Sequence, residues 1–178
     1  MNELNNFVIS NGNYDNKSVC LKSNTLIVSL IDGLAITRSA DKLEWNSGNL
    51  TYTIVLNNKT NTSYVNSLVV DIIDNNLIDF VTDSVTIKGS KMSQENYDYD
   101  NNMHTLVIRL DNLTANSETT ITFSVKRKGN RPFRLISDCT LYYGDNLMKK
   151  SNKVIVTAGN FVYPRRDNYD CKAPFWRV

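Results

Sequence analysis

Few side chains in this sequence are equipped for chemistry. It holds three cysteines, Cys20, Cys139 and Cys171, and one histidine, His104. A nucleophilic triad needs a base beside its serine or thiol, and a zinc site needs several nitrogen, sulfur or carboxylate ligands converging on one point. Ser137-Asp138 and the other Ser/Asp pairs have no base except that one histidine, which has no second histidine to join it as a ligand. Asp98-Tyr99-Asp100-Asn101-Asn102 sets oxygen-bearing side chains at alternate positions, as the first half of a calcium loop does. The second half fails, with Met103 at the place of the tight-turn glycine and Arg109 at that of the bidentate glutamate. A hairpin loop between Ile87 and Leu106 is expected there instead. The residue types therefore predict a non-catalytic chain with no metal and no cofactor.

The cysteines divide by context. Cys139 falls in a strand-like run and shares a face with Leu135, Leu141 and Tyr143, the setting of a buried, inert thiol. Cys20 and Cys171 lie near the two ends of the sequence among polar residues. An odd number leaves one thiol without an internal partner, and two pairings are open. One staples the two terminal segments of a single subunit; the other, the one carried forward, makes Cys20 and Cys171 an intersubunit disulfide.

Composition narrows the class further. The 178 residues are 41% hydrophobic and 21% charged, enough for a single soluble domain with a self-sufficient core. Twenty Lys and Arg against eighteen Asp and Glu give a net charge of +2, too even for a nucleic-acid binder that must displace phosphate counterions. The longest apolar run is far shorter than the ~20 residues that span a bilayer, so no membrane partner is expected. Residues 1–6 have neither a basic region nor an apolar stretch of the signal-peptide kind, and use without conventional export is the expectation. Asparagine makes up about one residue in seven. It tolerates left-handed turns and is expected to stand in for glycine between strands. The Asn-x-Ser/Thr triplets at Asn16, Asn49, Asn58, Asn61 and Asn112 are read as chance products of that abundance.

The elements that would carry these residues have a period of two almost throughout. Leu50, Tyr52, Ile54 and Leu56 alternate with polar neighbours, and Asn57-Asn58 reads as the turn that follows. Around Leu68–Ile73 both faces are apolar, which predicts a strand buried on both sides. Val85-Thr86-Ile87, Thr105–Leu110, Thr119–Lys126, Ile136–Tyr143 and Lys153–Thr157 complete the set, with no amphipathic helix among them. Short β-branched and aromatic runs between Asn, Asp, Ser and Gly clusters predict an all-β, antiparallel β-sandwich. Three parts are expected: an extended N-terminal arm (1–32), the sandwich (33–158) and an aromatic C-terminal tail (159–178).

The ordered strands of the body resemble a known module. Leu34-Ala35-Ile36-Thr37-Arg38-Ser39-Ala40-Asp41, Ser47 to Asn58, Val69 to Asp74, Leu110 to Leu113, Thr120 to Val125 and Ser151 to Val156 together resemble the bacterial conserved-repeat domain, domain-of-unknown-function family eleven. This is an immunoglobulin-like module of bacterial surface proteins and spore appendages. The resemblance covers about seven tenths of the chain and implies a structural or adhesive role. Two departures stand out. Thr37-Arg38 occupies the place of the family's first-strand lysine, which counts against a Lys–Asn isopeptide bond of the kind found in some pilin-like sandwiches. The proline after the Val-x-Asp strand is also missing.

Thr25, Leu26, Ile27, Val28, Ser29, Leu30 and Ile31 form an apolar, proline-free segment suited to a sheet edge. Either it is an additional strand of its own sandwich, or it adds to a neighbouring subunit, a heterologous contact that propagates into a fibre. Phe161, Tyr163, Phe175 and Trp176 of the tail have the apolar area of anchors. The expectation is a homopolymer, with itself and other surface or spore-coat proteins as partners, located extracellularly or on the spore surface. The alternative is a monomeric adhesin-type or carbohydrate-binding sandwich, which requires an exposed aromatic cluster drawn from Tyr52, Tyr97, Tyr99, Tyr142 and Tyr143.

Overall fold

The computed structural model describes residues 2–15, 17–23, 26–30 and 33–159. Four strands form the arm: β1 (Asn2–Asn6), β2 (Ile9–Tyr14), β3 (Lys17–Lys22) and β4 (Leu26–Leu30). Fourteen more form the body: β5 (Leu34–Ala40), β6 (Glu44–Trp45), β7 (Leu50–Asn58), β8 (Tyr64–Ile72), β9 (Ile78–Phe80), β10 (Thr86–Ile87), β11 (Ser90–Lys91), β12 (Tyr97–Asp100), β13 (Thr105–Leu113), β14 (Ser117–Arg127), β15 (Phe133–Ser137), β16 (Cys139–Tyr143), β17 (Leu147–Lys150) and β18 (Val154–Ala158). A single 3₁₀ turn, Gln94–Asn96, is the only helical element among the described residues.

The body is an immunoglobulin-like antiparallel sandwich. One sheet runs β11-β10-β14-β7-β5, with β9 also paired to β14; the second runs β12-β13-β8-β16-β17. A smaller sheet, β15-β18-β6, contains the parallel pair β18–β6. Alternation decides which residues turn inward. Along β7, Leu50, Tyr52, Ile54, Leu56 and Asn58 are buried, and along β14 the same period buries Thr119, Ile121, Phe123 and Val125. Val69, Leu106, Ile108 and Leu141 meet them from the facing sheet in one continuous core. Each such side chain contributes roughly 1.5–3 kcal/mol relative to exposure.

Several sequence expectations need correction. Asn57 and Asn58 are not a turn but the end of β7. Asn58 is fully buried. Its amide donates to the carbonyls of Thr62, Leu113 and Thr114, and its Oδ1 accepts from the Thr60 amide and hydroxyl. The abundance of asparagine hid this one structural copy. The loop expected between Ile87 and Leu106 contains β12, in which Tyr97 is buried and Tyr99 half-buried. The run Ile136–Tyr143 divides at Asp138 into β15 and β16, which belong to different sheets. β8 is buried on one side only. Ser67, Val69 and Asp71 face the core, while Leu68 and Val70 are half-buried and Ile72 is exposed. The expectation that asparagine replaces glycine between strands holds at Asn116 and Asn146, which have left-handed backbones, while the left-handed Asn66 lies within β8.

Removing the Asn58 amide leaves the carbonyls of Thr62, Leu113 and Thr114 without their shared donor, the Leu113 bond being fully buried. Asn58→Ala is expected to destabilise the fold by about 3 kcal/mol, read as a lowered urea midpoint with an unchanged slope.

Candidate functional site

The strongest polar constellation lies between the two large sheets. Arg38 on β5 and Asp71 on β8 both point into the core by the alternation that buries Ile36 and Val69 beside them. Their side chains are each 1% exposed and form an ion pair from Nη1 to Oδ2. The guanidinium lies over the Tyr52 ring, 3.8 Å from its centroid, and 5.6 Å from that of Phe123. Nη1 also donates to the Asp138 carbonyl at 3.0 Å. Arg38 Nε and Asp71 Oδ1 find no hydrogen-bond partner among the described residues. Burial pushes the Asp71 carboxyl up to about 7, against the downward pull of Arg38.

The same strand is fastened from outside. Asn152 Oδ1 accepts from the Arg38 amide and Asn152 Nδ2 donates to the Arg38 carbonyl, both at 2.9 Å. One side chain thus completes the edge of β5 as a neighbouring strand would. Lys149 Nζ adds a bond to the Leu34 carbonyl. These contacts assemble residues from the beginning, middle and end of the body. An arginine is always charged and therefore not nucleophilic near neutral pH, so Arg38 fastens the sheets by charge and not by an amide bond.

The other candidate residues are placed as follows. His104 lines a cleft of about 730 Å³ with Asn75, Asp79, Phe80, Tyr99 and Lys126, and its Nε2 bonds the Asn75 amide at 2.8 Å. Asp100 Oδ1 accepts from the Asn102 and Met103 amides and closes the β12–β13 turn. Among the described residues no group of three or more His, Cys, Asp or Glu converges as metal ligands would. Cys139 is 1% exposed and burial pushes its thiol up to about 11, which suppresses the reactive thiolate. Cys20 is a free, exposed thiol on β3. Cys171 and the tail residues Phe161, Tyr163, Phe175 and Trp176 lie outside the described residues. Of the five tyrosines proposed as a surface cluster, Tyr52 and Tyr97 are buried and Tyr142 is exposed; Tyr99 packs on Phe80 and Tyr143 on Tyr64.

Residues 26–30 pair with residues 2–6 of their own chain, from Leu30↔Asn2 to Leu26↔Asn6. They join neither large sheet, so the alternative of an additional sandwich strand is set aside; Thr25 and Ile31 lie outside the described residues. Inside this pair, β2 and β3 form a second antiparallel ladder from Ile9↔Lys22 to Tyr14↔Lys17. Val8 and Ser23 connect the two ladders through Ser23 N–H to the Val8 carbonyl and Val8 N–H to Ser23 Oγ, each 2.9 Å. The arm is one long two-stranded ribbon, and Phe7, Val8, Ile9 and Leu21 on it are exposed.

The architecture has counterparts among solved proteins. The chain is similar to BcpA, the major pilin subunit of Bacillus cereus, with a TM-score of 0.53 and 14% identity over 87% of this chain and 48% of that one. It is similar to BslA, a bacterial hydrophobin, with a TM-score of 0.53 and 9% identity over 74% of this chain and 99% of that one. A third likeness is to the RrgA Jo.In complex, with a TM-score of 0.51 and 15% identity over 68% and 77%. At these identities the likeness is one of fold, and this chain spans about half the length of the pilin subunit. No family model and no curated protein matches the sequence.

Two measurements examine the buried pair. Above pH 7, Asp71→Ala leaves a buried guanidinium uncompensated and is expected to cost about 3–5 kcal/mol, whereas Arg38→Met with Asp71→Leu is expected to be neutral or stabilising by about 1–4 kcal/mol. Urea unfolding at pH 8 separates them. The pH dependence has a defined sign. A carboxyl raised in the folded state keeps its proton up to about pH 7, while the unfolded chain releases it near the ordinary carboxylate value. This contribution to stability is therefore present at low pH and lost as pH rises toward 7. Asp71→Asn should flatten the fall in urea midpoint between pH 4 and 7; parallel profiles for the two proteins would refute the raised carboxyl.

Proposed function

We propose that the chain is a non-catalytic structural subunit that self-assembles into a bacterial surface fibre, with its N-terminal ribbon as the joining element. The observation that carries this reading is the separation of the ribbon from the body's sheets. An isolated two-stranded hairpin is marginal in water, and this one has no consistently apolar face along β2 and β3. Its missing partner is then backbone: a sheet edge on another copy, which supplies hydrogen bonds where side-chain burial is lacking. Such a contact is heterologous and generates a filament when it does not close into a ring.

The fold supports the same reading, since sandwiches of this kind occur in a pilin subunit. Membership of residues 34–156 in the conserved-repeat module is part of the proposal. So is the spore surface as destination, which the resemblance implies, alongside other coat or surface proteins as neighbours. The exposed thiol of Cys20 supports a disulfide to Cys171 of another copy as a lock formed after assembly.

Electron microscopy of the purified full chain beside a form lacking residues 1–32, both without reductant, tests the reading. Filaments from the full chain and none from the shortened form are expected. Monodisperse particles from both would remove self-assembly and leave the monomeric adhesin-type or carbohydrate-binding module. In filaments, Cys20→Ser is expected to abolish disulfide-linked oligomers on non-reducing gels while leaving the filaments visible.

A further inference from the structure

Resting on the fibre reading above, the charge pattern of the edges identifies where the ribbon docks: we infer that β3 of one copy adds antiparallel to the outer edge of β12 of a second copy. The receiving edge follows from how the body treats its other edges. β5 contains Arg38 and is closed there by the Asn152 side chain. β17 carries Lys149 and Lys150, β15 carries Arg134, and β11 ends on Lys91. Lysine on an edge discourages further strand addition, above all by a basic strand. Among the body's edge strands of four or more residues, β12, Tyr-Asp-Tyr-Asp, alone has carboxylates and no cation.

The donor is selected by the same criterion. Of the four arm strands, β3 alone carries lysines, one at each end, and all its described side chains except the half-buried Val19 are exposed. Five residues apart, Lys17 and Lys22 leave β3 on opposite faces, so one lysine of the strand shares a face with the two aspartates of β12. Asp98 is exposed and forms no ion pair among the described residues. Lys91 and Lys128 are engaged by Asp83 at 3.9 Å and Asp79 at 3.2 Å; Lys126 and His104 line the same cleft as Asp98 without forming an ion pair with it. Centred on this edge, antiparallel β3 brings Cys20 opposite Asp98 and Lys22 diagonally across from it, within the reach of cross-strand side-chain pairs. The partner is thus a second copy of this chain, held by a backbone ladder and selected by charge.

Charge exchange and a cross-link test the pairing. Asp98→Lys and Lys22→Glu should each raise the minimum concentration for filament formation by about tenfold or more. Combining the two substitutions should restore it to within about threefold of the original chain. Urea midpoints unchanged by these exposed substitutions establish that folding is intact. In a Cys171→Ser background, Asp98→Cys should produce a disulfide-linked ladder that Cys20→Ser abolishes. Unchanged thresholds, or filaments without a ladder, overturn the β3–β12 pairing while leaving the fibre reading standing. A full-length chain that forms no filaments overturns both.

Discussion

One buried charge pair constrains this fold more than any apolar contact does. A sandwich held by burial alone tolerates some sliding of one sheet over the other, because hydrophobic attraction has no direction. Arg38 and Asp71 remove that freedom. Their side chains meet across the interior, and any displacement would separate two charges with no water to take their place. Stacking of the guanidinium on Tyr52 further fixes its plane. The gain is one of specificity, since the cost of drying two ions offsets much of their attraction. The unpartnered Arg38 Nε and Asp71 Oδ1 are part of that cost.

The consequences spread along the chain. Fixing Arg38 fixes β5, and β5 is the first strand of the body after the arm. Its outer edge is met by Asn152, from the connection between β17 and β18, and by Lys149. The beginning and end of the body are therefore tied at one place, where a load entering through the arm would first be felt. Asn58 ties the end of β7 to Leu113 and Thr114 at the end of β13 and to Thr62 in the loop that follows β7. At β5, an edge strand, a polar side chain satisfies backbone groups that no neighbouring strand meets.

Much of this architecture was legible in the sequence and much of the polar skeleton was not. Strands such as β7 and β14 declare themselves because one face is buried and the other half-wet, so period two survives in residue type. β12 did not, since its outward residues are aspartates and its inward ones tyrosines, a pattern that passes for a polar loop. β8 misled in the opposite sense: Ile72 is apolar but exposed, and Asp71 is charged but buried, which inverts the ordinary meaning of hydropathy at two adjacent positions. In the sequence Arg38 stands out only as a departure from a lysine. Its partner Asp71 could have been found from parity, because Val69 and Asp71 lie two apart on a strand whose Val69 must face inward. Asn58 and Asn152 could not, since in a sequence this rich in asparagine the residue type carries little information about place.

The arginine also bears on how an assembled fibre would resist force. A lysine in this strand could in principle become an amide bond, fastening the body covalently. Arginine offers an ionic brace whose strength depends on staying dry. Within the body, then, resistance to pulling rests on hydrogen-bond ladders and on this pair, and the buried Cys139 is chemically closed off. Covalent reinforcement is left to groups outside the core. Cys20 is the exposed thiol among the described residues, and it lies on the ribbon, where a bond would secure a junction between copies and leave the folding of each copy untouched. Separating the two tasks has a physical advantage. In the proposed fibre each subunit would fold while its thiols are reduced, and oxidation would act only on contacts that assembly had already brought within bonding distance.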